Sequence, residues 1–167
     1  KSIGVVVGSR SSVYSHQIKQ VARESIVGIG QNFIAALLAH VFDLKGPAFV
    51  IDSACSSSIM SIHLGCQSLL IGETDMMLVG GADLLINHLP FVILSEAGAL
   101  TTENKSYPFD RRASGFILGE GAGAILIKKL DKALADHDKI YAIIKGSASN
   151  NDGATLGITT PNVLAQE

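Results

Sequence analysis

The heptapeptide Asp52-Ser53-Ala54-Cys55-Ser56-Ser57-Ser58 holds the residue best placed for covalent chemistry. An apolar run ends just before it, small residues allow a tight turn, and a helical pattern begins just after it. A thiol at such a junction sits beside the unpaired N–H groups of a helix start, which favour negative charge. The same groups can hold an oxyanion when the sulfur attacks a carbonyl carbon. Ala54 and Ser56 leave space for an acyl group to approach Cys55. The competing reading is that a free cysteine is simply a small core residue, and the strand–turn–helix setting is what weighs against it.

No other residue shares that setting. Cys66 falls mid-helix on an apolar stripe with Ile59 and Ile62, the place of a core filler. Along a helix the eleven residues from Cys55 to Cys66 cover roughly 16 Å, too far for a disulfide. Sparse, unpaired cysteine fits a reducing cytoplasm. His63 and Cys66 form H-x-x-C, yet no second pair completes a zinc set. Neither His16 nor His88 carries the neighbours of a base; His40 reads as packed or at an interface, and His137, between two aspartates, as a solvated loop residue. A thiol nucleophile ordinarily wants a base, and this sequence displays none. Gly119-Glu120-Gly121-Ala122-Gly123 is followed by a strand rather than a helix. It therefore reads as a tight turn or close backbone packing, not a dinucleotide loop. Gly28-Ile29-Gly30 is a weak signal alone, and Phe109-Asp110-Arg111-Arg112 reads as a salt-bridged turn.

The elements that must position Cys55 alternate between strand and helix. Strands are predicted at residues 3–7, 48–51, 76–79, 123–130 and 140–146, the third closed by Gly80-Gly81. Helical spacing covers residues 32–44, stopped by Gly46-Pro47, and 56–71, ended by Gly72. A short helix is predicted at 131–136 and a short apolar segment at 90–100, leading into a loop over 101–112. Residues 10–31 are polar and irregular, with Ser9, Ser11, Ser12 and Ser15 clustered. Asn150-Asn151-Asp152-Gly153 is a turn, and Pro161-Asn162 makes another in a tail with no stopping signal of its own. Alternation with continuous apolar strands argues an α/β sheet covered on both faces.

The 167 residues suit one domain. With 13 basic and 15 acidic residues and no basic run, nucleic acid and anionic membranes are excluded as electrostatic partners. The sequence offers no stretch of about 18 apolar residues to cross a bilayer, and its first apolar run is too short for a signal peptide. That run reads as a strand entered in mid-fold. Only 17% of the residues are charged, against about 25% in an ordinary soluble domain, and mean hydropathy is +0.36. Such a surface calls for an extensive interface with a partner chain, or for membership of a larger domain.

Taken in order, Asp52 to Ser58, Gly80-Gly81-Ala82-Asp83, Phe109-Asp110, Gly119 to Gly123, Asn151-Asp152-Gly153, and Pro161-Asn162 with Ala165-Gln166 resemble the β-ketoacyl synthases. The resemblance runs from Lys1 to Glu167. The stretch from Gly28 to Ala36 is similar to ketosynthase domains of modular polyketide synthases, in particular the trans-acyltransferase kind. It implies a thiolase-like α/β fold in α-β-α-β-α layers, with this chain most of the N-terminal half and incomplete at both ends. It also implies a homodimer in the cytoplasm, with the strand before the nucleophile near the dimer contact.

The chemistry implied has two steps. Cys55 takes an acyl chain from the phosphopantetheine thioester of an acyl carrier protein, and a malonyl-type extender is then decarboxylated and attacks that acyl group. No cofactor is bound directly. Two histidines of the family, in H-G-T and N-I-G-H motifs, assist decarboxylation together with a lysine; neither motif occurs here, and His63 matches a helix position that is not catalytic. The C-terminal half would therefore be a required partner. The resemblance makes Cys55 the nucleophile and, through its N–H, half of an oxyanion hole. Ala54, Leu94 and the turn from Gly30 to Asn32 match positions that line the acyl pocket or face it across the dimer, while Ser53 stands where Thr is commoner. Alternatives are a non-elongating ketosynthase that only transfers acyl chains, and a noncatalytic partner that shapes a dimer, against which the intact Cys55 counts. An unrelated thiol hydrolase would need a Cys–His–Asn set that cannot be assembled.

Overall fold

A computed structural model describes residues 2–11 and 14–166. Ser12 of the serine cluster, and the outermost residues of the resemblance, Lys1 and Glu167, lie outside them. Strands β1 (Ile3–Gly8), β2 (Ala48–Ile51), β3 (Met76–Asp83) and β4 (Gly121–Lys128) form one sheet in the order β2-β1-β3-β4. β1 runs parallel to β2 and β3, and β4 closes antiparallel on β3. The parallel register pairs Val7 with both Val50 and Gly80, and Gly8 with both Ile51 and Gly81.

Strand alternation explains the two faces. Val5 and Val7 point to one side and are buried with Ala35 of α2 (Phe33–Val41). Val6 points to the other and packs with Leu69 of α3 (Ser57–Ile71), Met77 and Val79. The result is an α/β sandwich of helix, sheet and helix, as the continuous apolar strands require.

Several boundaries differ from the sequence-based expectation. β3 does not stop at Gly80-Gly81 but runs through them to Asp83. Those glycines serve close approach inside the strand: a Cβ on Gly80 would come 2.1 Å from the Gly123 carbonyl oxygen. β4 starts at Gly121 and ends at Lys128, and α5 (Leu130–Ala135) follows at once. α2 is shorter than the expected span because Asp43 takes φ 52°. The expected strand over 140–146 does not form; a strand needs a ladder, and among the described residues this segment has no ladder partner. Within the irregular region a short helix, α1 (Ser25–Ile29), appears, the apolar segment after β3 forms α4 (Leu89–Glu96), and the tail carries α6 (Val163–Gln166).

The face of α3 toward the sheet also departs from expectation. Its buried residues are Ser57, Ser61, Gly65, Ser68 and Leu69, mostly small rather than large apolar ones. Ile59, expected on the inner stripe, is 67% exposed, and Leu70 is 69% exposed. The helix lies too close to the strands for bulk: a Cβ on Gly65 would meet Val79 Cγ1 at 2.5 Å. The buried Ser61 hydroxyl lies 2.7 and 2.8 Å from the Ser58 and Gly80 carbonyls, which share its one proton. These serines also hid an apolar average: the 18 residues Ala54–Ile71 have mean hydropathy 1.2, enough by length and composition for a membrane crossing, contrary to the reading of the sequence. Here the segment packs its small face on β1 and β3. It ends as expected at Gly72, φ 78°, where the Glu73 N–H donates to the Ser68 carbonyl at 3.0 Å.

The chain exposes 12190 Å². Ordinary size scaling gives about 7,900 Å² for a folded monomer of 17.5 kDa. The excess includes the outer side of α3, both faces of β4, and Tyr141, Ile143 and Ile144.

Candidate active site

The carboxyl ends of β1, β2 and β3 lie along one edge of the sheet, where open α/β sheets hold their ligands. Past β2, Asp52 begins a turn whose central residue, Ala54, has φ 54°. An alanine there is strained, because its Cβ crowds the backbone. Residues Ala54–Ser56 form one 3-10 turn leading into α3, and Cys55 sits in its middle, exposed.

Side chains on both sides hold this turn. The Ala54 N–H donates to Asp52 Oδ1 at 3.0 Å, and Ser56 Oγ donates to the Ser53 carbonyl at 2.8 Å. Buried Ser57 bridges it: its Oγ accepts from the Ser53 N–H at 2.9 Å and donates to the Ala54 carbonyl at 2.6 Å. Among the described residues no acceptor takes the Cys55 N–H. Such a donor beside an exposed sulfur can serve a developing oxyanion.

Past β1 and β3 the same edge opens into a cleft of about 550 Å³. Ile29, Ile34, Leu84, Ile86, Ile93 and Leu94 give it apolar walls. Gly30 and Leu94, expected near an acyl group, both line this cleft; Cys55 and Ala54 lie outside its lining. The Ser9 N–H, at the cleft, donates to the Ile51 carbonyl at 3.0 Å, and Ile51 ends the strand that leads to Cys55. The cleft's polar side is one that sequence reasoning missed. Arg10 Nε meets Asp83 Oδ1 at 2.7 Å, and Gln31 donates to the Ser9 carbonyl. Their signal was positional, since Arg10 and Asp83 fall at the ends of two parallel strands.

The other candidates separate from this edge. Cys66 is half-buried, and burial pushes its thiol up against the opposing pull of a hydrogen bond with Ser147, which disfavours the reactive thiolate. His63 Nδ1 lies 2.9 Å from Ser147 Oγ, part of a contact between α3 and the segment after residue 146. Exposed His137 has φ 56° in the turn after α5. Among the described residues no three His, Cys, Asp or Glu side chains gather as a metal set. The Arg112 guanidinium makes two hydrogen bonds to Asp110, at 3.0 and 2.9 Å, and the Arg112 N–H a third at 2.9 Å; they hold that carboxyl below its ordinary range, so the Phe109 to Arg112 turn is salt-bridged as expected. Glu120 accepts from the Leu85 N–H, tying the glycine-rich segment to the loop after β3.

Residues 1–133 match the N-terminal domain of β-ketoacyl synthase. The chain belongs to the β-ketoacyl synthase family. It is 41% identical over 167 residues to a component of the phenolphthiocerol/phthiocerol polyketide synthase of Mycobacterium tuberculosis, covering 99% of this chain and 8% of that protein. The ketosynthase from module 6 of the bacillaene synthase of Bacillus subtilis 168 superposes with a TM-score of 0.91 at 42% identity, over 99% of this chain and 29% of that one. An oxazolomycin ketosynthase domain of Streptomyces albus JA3453 superposes at 0.85 with 30% identity, again over 99% and 29%. The β-ketoacyl synthase chain thus has the thiolase-like fold of these ketosynthases and spans under a third of their length.

Proposed function

We propose that this chain carries the acyl-accepting cysteine of a ketosynthase in polyketide biosynthesis, of the trans-acyltransferase kind. The observation that carries the reading is Cys55, exposed on a strained turn at the carboxyl edge of the sheet, with an N–H beside its sulfur that no described residue accepts. Cys55 Sγ attacks the thioester carbonyl of an acyl group presented on the phosphopantetheine of acyl carrier protein. The new C–S bond forms, the bond to the pantetheine sulfur breaks, and the departing thiolate takes the proton that Cys55 gave up. The Cys55 N–H faces the oxygen as it becomes negative. Ala54 gives the acyl group room, and the cleft at Gly30 and Leu94 takes the body of the chain.

In the second step a malonyl-type thioester loses carbon dioxide and its carbanion attacks the Cys55 acyl carbon. Cys55 then leaves as a thiolate and a β-ketoacyl thioester is released. The histidines for decarboxylation come from a C-terminal half. That half and a second copy of the chain in a homodimer cover the excess apolar surface. The setting is cytoplasmic, and no cofactor is held directly.

The test is to load the intact polypeptide that bears this chain with a simple acyl thioester and then add a malonyl thioester. The expected product is a β-ketoacyl thioester two carbons longer, with the enzyme returned to its free mass. Transfer of the unextended acyl group would overturn condensation in favour of a transfer-only ketosynthase. A chain that never loads would overturn both.

A further inference from the structure

We propose that Ser57 is a positioning residue for Cys55: its hydroxyl clamps the turn and keeps Ala54 in the strained conformation that presents the sulfur and its N–H together. The inference rests on the reading of Cys55 as the nucleophile. Ala54 has φ 54°, a backbone region that alanine leaves unless its surroundings prevent it. The group that prevents it touches the turn on both sides. Ser57 Oγ takes the Ser53 N–H at 2.9 Å and gives its own proton to the Ala54 carbonyl at 2.6 Å. It therefore ties the Asp52–Ser53 peptide to the Ala54–Cys55 peptide, bracketing the strained residue from both sides.

Ser57 is itself closely packed. It is buried at the first position of α3, and its backbone lies against Gly8 so closely that a Cβ there would come 2.4 Å from the Ser57 carbonyl carbon. The clamp thus transmits the position of the sheet to the turn, whereas the Asp52 and Ser56 bonds are made by exposed residues within the turn itself. Without the hydroxyl, Ala54 relaxes toward negative φ, and the Cys55 sulfur and N–H lose their common aim.

The chemistry yields a test that a merely structural role would not pass. Glycine adopts positive φ without strain, so a turn with Ala54→Gly needs no clamp. In the intact polypeptide, Ser57→Ala is expected to slow loading from a simple acyl thioester by roughly tenfold, the rate equivalent of strain at one residue. In the Ala54→Gly background the same change is expected to cost no more than about twofold. An equal loss in both backgrounds, or no loss in the parent, would overturn the proposal. A second measurement needs no variant: the Ser53 amide, held by Ser57 Oγ, is expected to exchange its hydrogen slowly, and exchange at the rate of an unprotected turn would equally overturn it. A parent that never loads speaks against Cys55 as nucleophile, while a parent that loads with no background dependence speaks against Ser57 alone.

Discussion

Replacing Cys55 by alanine is expected to abolish acyl loading, by at least about 10³-fold, while leaving the fold intact. The side chain is exposed and fills no core space, so its removal should move stability by no more than about 0.5 kcal/mol. The bonds that shape the turn use the backbone, the Asp52 carboxylate and the hydroxyls of Ser56 and Ser57, and none passes through the sulfur. Cys66→Ala is expected to load like the parent, because that thiol is half-buried, raised by burial, and away from the sheet edge that holds the cleft. The two variants, compared by intact mass over time with urea midpoints as the control, separate a lost nucleophile from a lost fold. Undiminished loading by Cys55→Ala would show that another group accepts the acyl chain.

Gly8→Ala is expected to be strongly damaging to the contact between the sheet edge and α3. Its φ is not in the left-handed region, so the requirement for glycine is one of space. The added Cβ would lie 2.4 Å from the carbonyl carbon of Ser57, 2.5 Å from its oxygen and 2.7 Å from Ser58 N. All three are backbone atoms of the first turn of α3, and no side chain can swing aside. Either α3 lifts from β1 or the end of β1 bends. Both loosen the core of Val6, Leu69, Met77 and Val79. A cost of about 3 kcal/mol is expected from overpacking a rigid contact, read as a lower urea midpoint. Loading should fall as well, since Ser57 carries the clamp on the Cys55 turn. Parent-like stability would mean that α3 can slide on the sheet.

What could be read in the sequence follows the range of the interactions. The strand over Ile3–Gly8, the helix ending at Gly72 and the turn that lifts Cys55 are local matters of β-branching, helical spacing and small residues, and each forms where its pattern lies. Gly80 and Gly81 read as a stop because glycine usually punctuates. Only the approach of β4 shows that they are needed inside the strand. For the same reason the inner face of α3 was misread, since a hydrophobic pattern says nothing of how closely a helix must lie on its sheet. The segment over 140–146 has the composition of a strand, but strand formation is decided by a partner. At the site, Cys55 was visible through its setting, whereas the cleft depends on bringing Gly30 and Leu94 together from the end of α1 and from α4. The clamp of Ser57 on Ala54 was invisible, because a positive φ at alanine is imposed by the fold rather than preferred by the residue.

The central claim is that Cys55 carries the acyl chain, and the most direct measurement is to locate that chain. The intact polypeptide would be incubated with a simple acyl thioester, digested, and its peptides sequenced by mass spectrometry. One acyl group on Cys55, with Cys66 unmodified, is the expected outcome. An acyl group on Cys66 or on a residue away from the turn, or folded protein that takes up none, would refute the claim.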